Sequence, residues 1–162
     1  MVEFANKNNG LYCSLDNEIL EIVPWGRDGI RVRATQSNEI KRDWTNALIN
    51  QGDYQTSIDI QPSGASLQNG EIKACISSSG QLSFFDVNSD QELVKEKPIH
   101  ALSTPARTYK SLKGDLFHID CCFEAYDNEH IYGLGQHQHG RLDQKGCVIE
   151  LIQRNTEVSI PF

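Results

Sequence analysis

The residues best suited to chemistry lie in the stretch YGLGQHQHGRLDQKG, from Tyr132 to Gly146, which holds His137, His139, Arg141, Asp143 and four glycines. On a strand, positions i and i+2 share a face, so His137 and His139 can reach one metal ion. A catalytic zinc centre takes three protein ligands, and the other nearby histidine, His130, stands at no spacing that links it to the pair. The plainer reading is two polar loop histidines bonded to backbone, and no metal or other cofactor is expected.

Other constellations are thinner. The serines cluster in turn-like SSSG and SNE without a G-x-S-x-G elbow, and no cysteine has an evident electropositive setting, so a nucleophilic triad is not supported. Asp143, Glu150 and Glu157 supply the carboxylate types that glycosidic bond cleavage needs, yet 22 acidic residues on a small chain are mostly solvated charge. GLGQHQHG lacks the basic residue and helix start of a phosphate cradle; its glycines suit left-handed backbone in a tight turn. Arg154 and Asn155 follow an apolar strand-like run and precede another. That is where binding groups tend to sit, and an exposed hairpin tip is the alternative reading.

The elements that must position these residues read in period two. In GIRVRATQ, Ile30, Val32 and Ala34 alternate with Arg31, Arg33 and Thr35, which predicts a strand with its charged side out. DLFHIDCCFE puts Phe117, Ile119, Cys121 and Phe123 on one side. NGEIKACISSSGQLSFFDV reads as a meander turning at Asn69-Gly70 and at Ser78-Ser79-Gly80. Further strands are expected in NEILEIVPW, YQTSIDIQ, DQELVKEK, HIYGLGQ and KGCVIELIQ. Only KRDWTNALINQ has helical spacing, with Trp44, Ala47 and Leu48 at i, i+3 and i+4; it reads as a short helix or an irregular connection. The expectation is one all-β domain over 1–162, mostly antiparallel, with little helix.

A net charge of −7 repels phosphate backbones and anionic headgroups, so neither nucleic acid nor a membrane surface is an expected partner. The apolar runs fall short of the roughly 20 residues that span a bilayer. MVEFANKNNG has no signal-peptide pattern, so a cytoplasmic origin is expected. Five cysteines, Cys13, Cys75, Cys121, Cys122 and Cys147, show no C-x-x-C spacing and read as reduced, mostly buried thiols.

Taken together, YGLGQHQHGRLDQKG, CVIELIQRNTEVSIPF, IVPWGRDGIRVRATQ and GEIKACISSSGQLSFFD resemble the N-terminal domain of glycoside hydrolase family 31, in its α-xylosidase-like branch. The resemblance covers nearly the whole chain. It implies a β-supersandwich like that of galactose mutarotase, set ahead of a (β/α)8 barrel that carries the two catalytic aspartates of a retaining mechanism. Those aspartates are expected to lie outside this sequence, making it an excised domain that is inactive alone; mutarotase catalysis is not implied, since no matching His/Glu arrangement is present.

By the same resemblance, the loop after CVIELIQ reaches the barrel mouth and helps form the leaving-group subsite. Gln153, Arg154 and Asn155 are its candidates, although QRNTE is shorter than the corresponding loop of many members and lacks its aspartate. Gln136 and His137 are assigned to packing against the barrel. The implied partners are that barrel, in the same parent chain, and α-linked xylosides or glucosides; an uncovered barrel-facing surface would favour self-association. The alternative is a stand-alone carbohydrate-binding sandwich stacking sugars on Trp25 or Trp44.

Overall fold

The structure, a computed structural model, describes residues 2–41, 49, 52, 54, 56–98, 104–114 and 116–160. All its regular elements are strands, and every pairing is antiparallel. Among the described residues no helix is long and apolar enough to cross a membrane. Of the expected short helix in KRDWTNALINQ, residues 42–48, 50 and 51 lie outside the described residues, and Trp44 with them.

The chain divides into two compact units, 1–124 and 125–162. In the first, β1 (Glu3–Lys7), β2 (Gly10–Leu15), β3 (Glu18–Pro24) and β4 (Ile30–Thr35) form one sheet in chain order. β5 (Ser57–Gln61), β6 (Gly64–Asn69), β7 (Ile72–Ser77), β8 (Leu82–Asp86) and β9 (Glu92–Lys95) form a second, also in chain order. Short connections make such meanders the natural outcome. Asn8 and Asn9 both take positive φ, as a two-residue hairpin turn requires, and asparagine tolerates that region better than most residues.

Alternation then builds the core. Leu11, Cys13, Leu20 and Ile22 from the first sheet meet Ala65, Leu67, Ala74, Ile76 and Leu82 from the second in one buried cluster. The two sheets thus pack face to face as a sandwich. Full burial of each leucine or isoleucine contributes about 1.5–3 kcal/mol. Burial also pushes the Cys13 thiol up to about 12, leaving it an inert packing group. All five cysteines are free, but only Cys13 is buried; Cys121 and Cys122 are exposed, contrary to the expectation of mostly buried thiols.

The polar face of the first sheet is less open than its alternation suggests. Register aligns Tyr12, Glu21 and Arg33 across β2, β3 and β4. Glu21 is fully buried, and both the Tyr12 hydroxyl and the Arg33 guanidinium donate to its carboxylate. Arg33 therefore points into an ion pair rather than out to water.

A ribbon of β10 (Arg107–Ser111) and β11 (Phe117–Cys121) completes the first unit. Arg107 ties it down. Its Nε and Nη2 donate to Glu18 at 3.0 Å, Nη1 donates to Glu96, and Nη2 also reaches the Gly80 carbonyl at 3.1 Å. Glu96 is buried and accepts the Leu82 N–H at 2.9 Å. Burial opposes the Arg107 charge, but the hydrogen bonds to Glu18 and Glu96 outweigh it and hold the guanidinium above its ordinary value.

The second unit has β12 (Gly135–Gln136) and β13 (Val158–Ser159). Here two expectations need correction. HIYGLGQ contributes only Gly135 and Gln136 to a ladder, and KGCVIELIQ forms no strand. Val148 is 100% exposed, with Leu151 and Ile152 close to half exposed. Alternation gives a segment the capacity to pair, but a strand exists only through its neighbour, and no described strand lies alongside 147–153.

Candidate functional site

The segments singled out for chemistry meet in the second unit. β12 and β13 pair Gly135 with Ser159 and Gln136 with Val158, bringing the GLGQ turn beside VSIP. The Ile160 N–H extends the contact to the Leu134 carbonyl at 3.1 Å. Gly135 is required by this approach. Its φ is +102°, and a Cβ there would stand 2.0 Å from the Val158 carbonyl oxygen.

The QRNTE loop is a tight hairpin built on that pair. Arg154 and Glu157 bridge through their backbones, leaving Asn155 and Thr156 exposed at the tip. Gln153 serves the hairpin itself, its Oε1 accepting the Ser159 N–H at 3.0 Å, while the Ser159 hydroxyl donates to the Ile152 carbonyl at 3.0 Å. Arg154 donates from Nη2 to Glu150, four residues earlier. Both side chains are about half exposed. Such a pair contributes roughly 0–1 kcal/mol, so it holds the Arg154 guanidinium only weakly. The structure brings Gln153, Arg154 and Asn155 together on one hairpin, with Arg154 and Asn155 presented to solvent.

The histidines behave as loop residues. His137 bonds through Nε2 to the Leu134 carbonyl at 2.9 Å, and His139 accepts the Arg141 N–H at Nδ1 at 3.1 Å. Their rings stack 5.7 Å apart at 8°. Among the described residues no group of three or more His, Cys, Asp or Glu is arranged to hold a metal ion.

The carboxylates are engaged separately. Asp143 pairs with His130 Nδ1 at 2.7 Å and takes the N–H groups of Ile131 at 3.1 Å and Lys145 at 3.0 Å. The His130 hydrogen bond, helped by the two backbone donors, draws this carboxyl down to about 2. Asp143 thus clips 130–131 to 143–145 rather than sharing a proton with Glu150, which answers to Arg154. Sequence reasoning weighed Asp143 only as an acid or base; its position in a glycine-flanked loop was the available hint of a structural clip.

A solved family 31 α-xylosidase from a soil metagenome, complexed with xylose, superposes on 99% of this chain with a TM-score of 0.87 and 34% identity. An uncharacterised family 31 glucosidase of Pseudescherichia vulneris is 32% identical over the whole chain. The chain belongs to glycoside hydrolase family 31. Alpha-xylosidase A of Aspergillus niger is 30% identical over 98% of it. The α-xylosidase of Xanthomonas citri, at 24% identity and a TM-score of 0.78, shares the fold. No family model matches the chain.

This family 31 chain spans 34% and 24% of the lengths of the two curated relatives and 26% of the metagenomic enzyme. Its all-β architecture is that of the corresponding part of the metagenomic enzyme.

Proposed function

We propose that this chain is the N-terminal domain of a retaining family 31 α-glycosidase, an α-xylosidase in preference to an α-glucosidase. It packs on the catalytic barrel through the Gln136 and His137 region and lends the Gln153–Arg154–Asn155 hairpin to the leaving-group subsite. The observation that carries this reading is the match of the whole chain, at 34% identity and a TM-score of 0.87, to a quarter of an α-xylosidase. The exposed, weakly held Arg154 supports the subsite role, because a guanidinium offers several directional donors to sugar hydroxyls.

The test uses the parent polypeptide and two substrates. Arg154→Ala should lower kcat/KM about tenfold on an α-xyloside with a sugar leaving group, the loss of one charged hydrogen bond, and barely affect an aryl α-xyloside. Equal effects on both substrates would overturn the subsite role. Turnover of the aryl xyloside by these 162 residues alone would overturn the assignment of the chemistry to the barrel. Trp25 gives the carbohydrate-binding alternative little support, since the Arg31 guanidinium lies over its ring at 4.9 Å and occupies a face that a sugar would need.

A further inference from the structure

One feature of the first unit is left unexplained by a self-sufficient sandwich. Between β4 and the β10–β11 ribbon runs a cavity of about 290 Å³. Its floor is Leu20, Val32, Leu82 and Phe84, and its wall is Ile119, Cys121 and Phe123. A second cavity of about 180 Å³ shares Ala34, Tyr109 and Ile119 with the first, so the two form one groove. The wall is wet: Phe117, Ile119 and Phe123 are 49%, 60% and 50% exposed. Large side chains alternating along β11 on one side of a ribbon are a core face, and among the described residues nothing covers that face fully.

We propose that this groove seats an apolar segment of the parent polypeptide lying outside these 162 residues, an inference that rests on the chain being one domain of a longer glycosidase. Three observations select that occupant. Family 31 relatives carry roughly two to three times as much further chain as is present here, since this chain spans 34% of one and 24% of another. The groove's charged groups, Glu96 and Arg107, already satisfy one another, so nothing in it calls for an ionic ligand. Among the described residues β4 pairs only with β3, and β11 is laddered only to β10 within the ribbon, so each offers a free edge to an extended segment with apolar side chains at alternate positions.

Neighbouring thiols supply the probe. Cys121 lines the groove and Cys122 does not, and both are exposed in this chain. Each is labelled with a maleimide under native conditions, in this chain and in the parent polypeptide, and read by mass spectrometry in C122S and C121S backgrounds. Comparing the Cys121-to-Cys122 rate ratio between the two proteins removes any intrinsic difference between the thiols. Seating of a segment should lower the ratio at least about tenfold in the parent, as expected for a group reached only by local opening. Ile119→Asp, a change at a position exposed in this chain, should restore Cys121 labelling in the parent while its β-sheet circular dichroism is retained.

An unchanged ratio would overturn the proposal, as would a low ratio in this chain alone, which would mean that its own residues fill the groove. Protection in the parent that disappears on dilution would assign the groove to a second copy and overturn it equally. Fast Cys121 labelling alongside an intact Arg154→Ala effect would sink the groove assignment alone. Protection without that effect would sink the subsite reading alone.

Discussion

The two units of the chain are held together by different physics. Among the described residues, 1–124 contain two sheets, β1–β4 and β5–β9, whose inward faces make a dry cluster from Leu11 to Leu82, closed by ion pairs at Glu21 and Glu96. Residues 125–162 have a two-residue ladder, the Asp143 clip and a hairpin, and their aliphatics stand in water: Ile131, Leu142, Val148, Leu151, Ile152, Val158 and Ile160 are all more than 40% exposed. The first unit is stabilised by removing apolar surface from solvent. The second is shaped by polar contacts and keeps its apolar surface available. The two curated relatives are about three and four times as long as this chain, so the proposed barrel partner is one source of cover for that surface.

The sharpest way to break this contrast is Arg107→Ala. It would strand the buried Glu96 carboxylate and should destabilise the first unit by about 3–5 kcal/mol in denaturant unfolding. A loss below about 1 kcal/mol would mean that Glu96 escapes to water or protonates cheaply. Leu20→Ala should cost about 2–5 kcal/mol through the lost burial and the cavity left behind. Leu151→Ala, exposed in the second unit, should stay within about 0.5 kcal/mol in the same assay. Similar costs for the two leucines would erase the distinction between the units.

Gly135→Ala sharpens the second unit's side of the comparison. The added methyl would collide with the Val158 carbonyl in a backbone region that alanine avoids, so β12 and β13 should separate at a cost of about 1–3 kcal/mol. Amide exchange at Ile160 and Gln136 should accelerate while β3 and β7 remain protected. The smallest effect concerns pH. Asp143 is held below its ordinary value of 3.8, so its contribution is fully present above about pH 4 and is lost as pH falls through about 2. The Ile131 amide shift should titrate there, and Asp143→Asn should abolish that titration; a midpoint near 4 would mean that the His130 contact does not persist in solution.

Much of the fold was readable before any coordinates. The alternations in GIRVRATQ and DLFHIDCCFE became β4 and β11, and NGEIKACISSSGQLSFFDV became the β7–β8 meander with its turns as expected. These are short-range patterns, where a strand and its neighbour are separated by a turn of a few residues. KGCVIELIQ carried the same kind of pattern and forms no strand, because its face has no described partner. At the candidate site, the placement of Gln153, Arg154 and Asn155 on one hairpin was legible from the polar break between apolar runs. The spending of Gln153 on Ser159 and of Arg154 on Glu150 was not, since hydrogen-bond partners are chosen by geometry rather than by residue type.

Sequence by itself determined the class of structure, an antiparallel strand protein, and membership of family 31, because both are written in local alternation, turn chemistry and short motifs. Tertiary structure alone decided where the charges rest and where apolar surface stays open. Arg107 finds Glu18 from 89 positions away, and Tyr12, Glu21 and Arg33 share a row only once β2, β3 and β4 are in register. The groove beside β11 likewise exists only through the docking of the ribbon. Such contacts depend on long-range chain closure, which no window of neighbouring residues encodes.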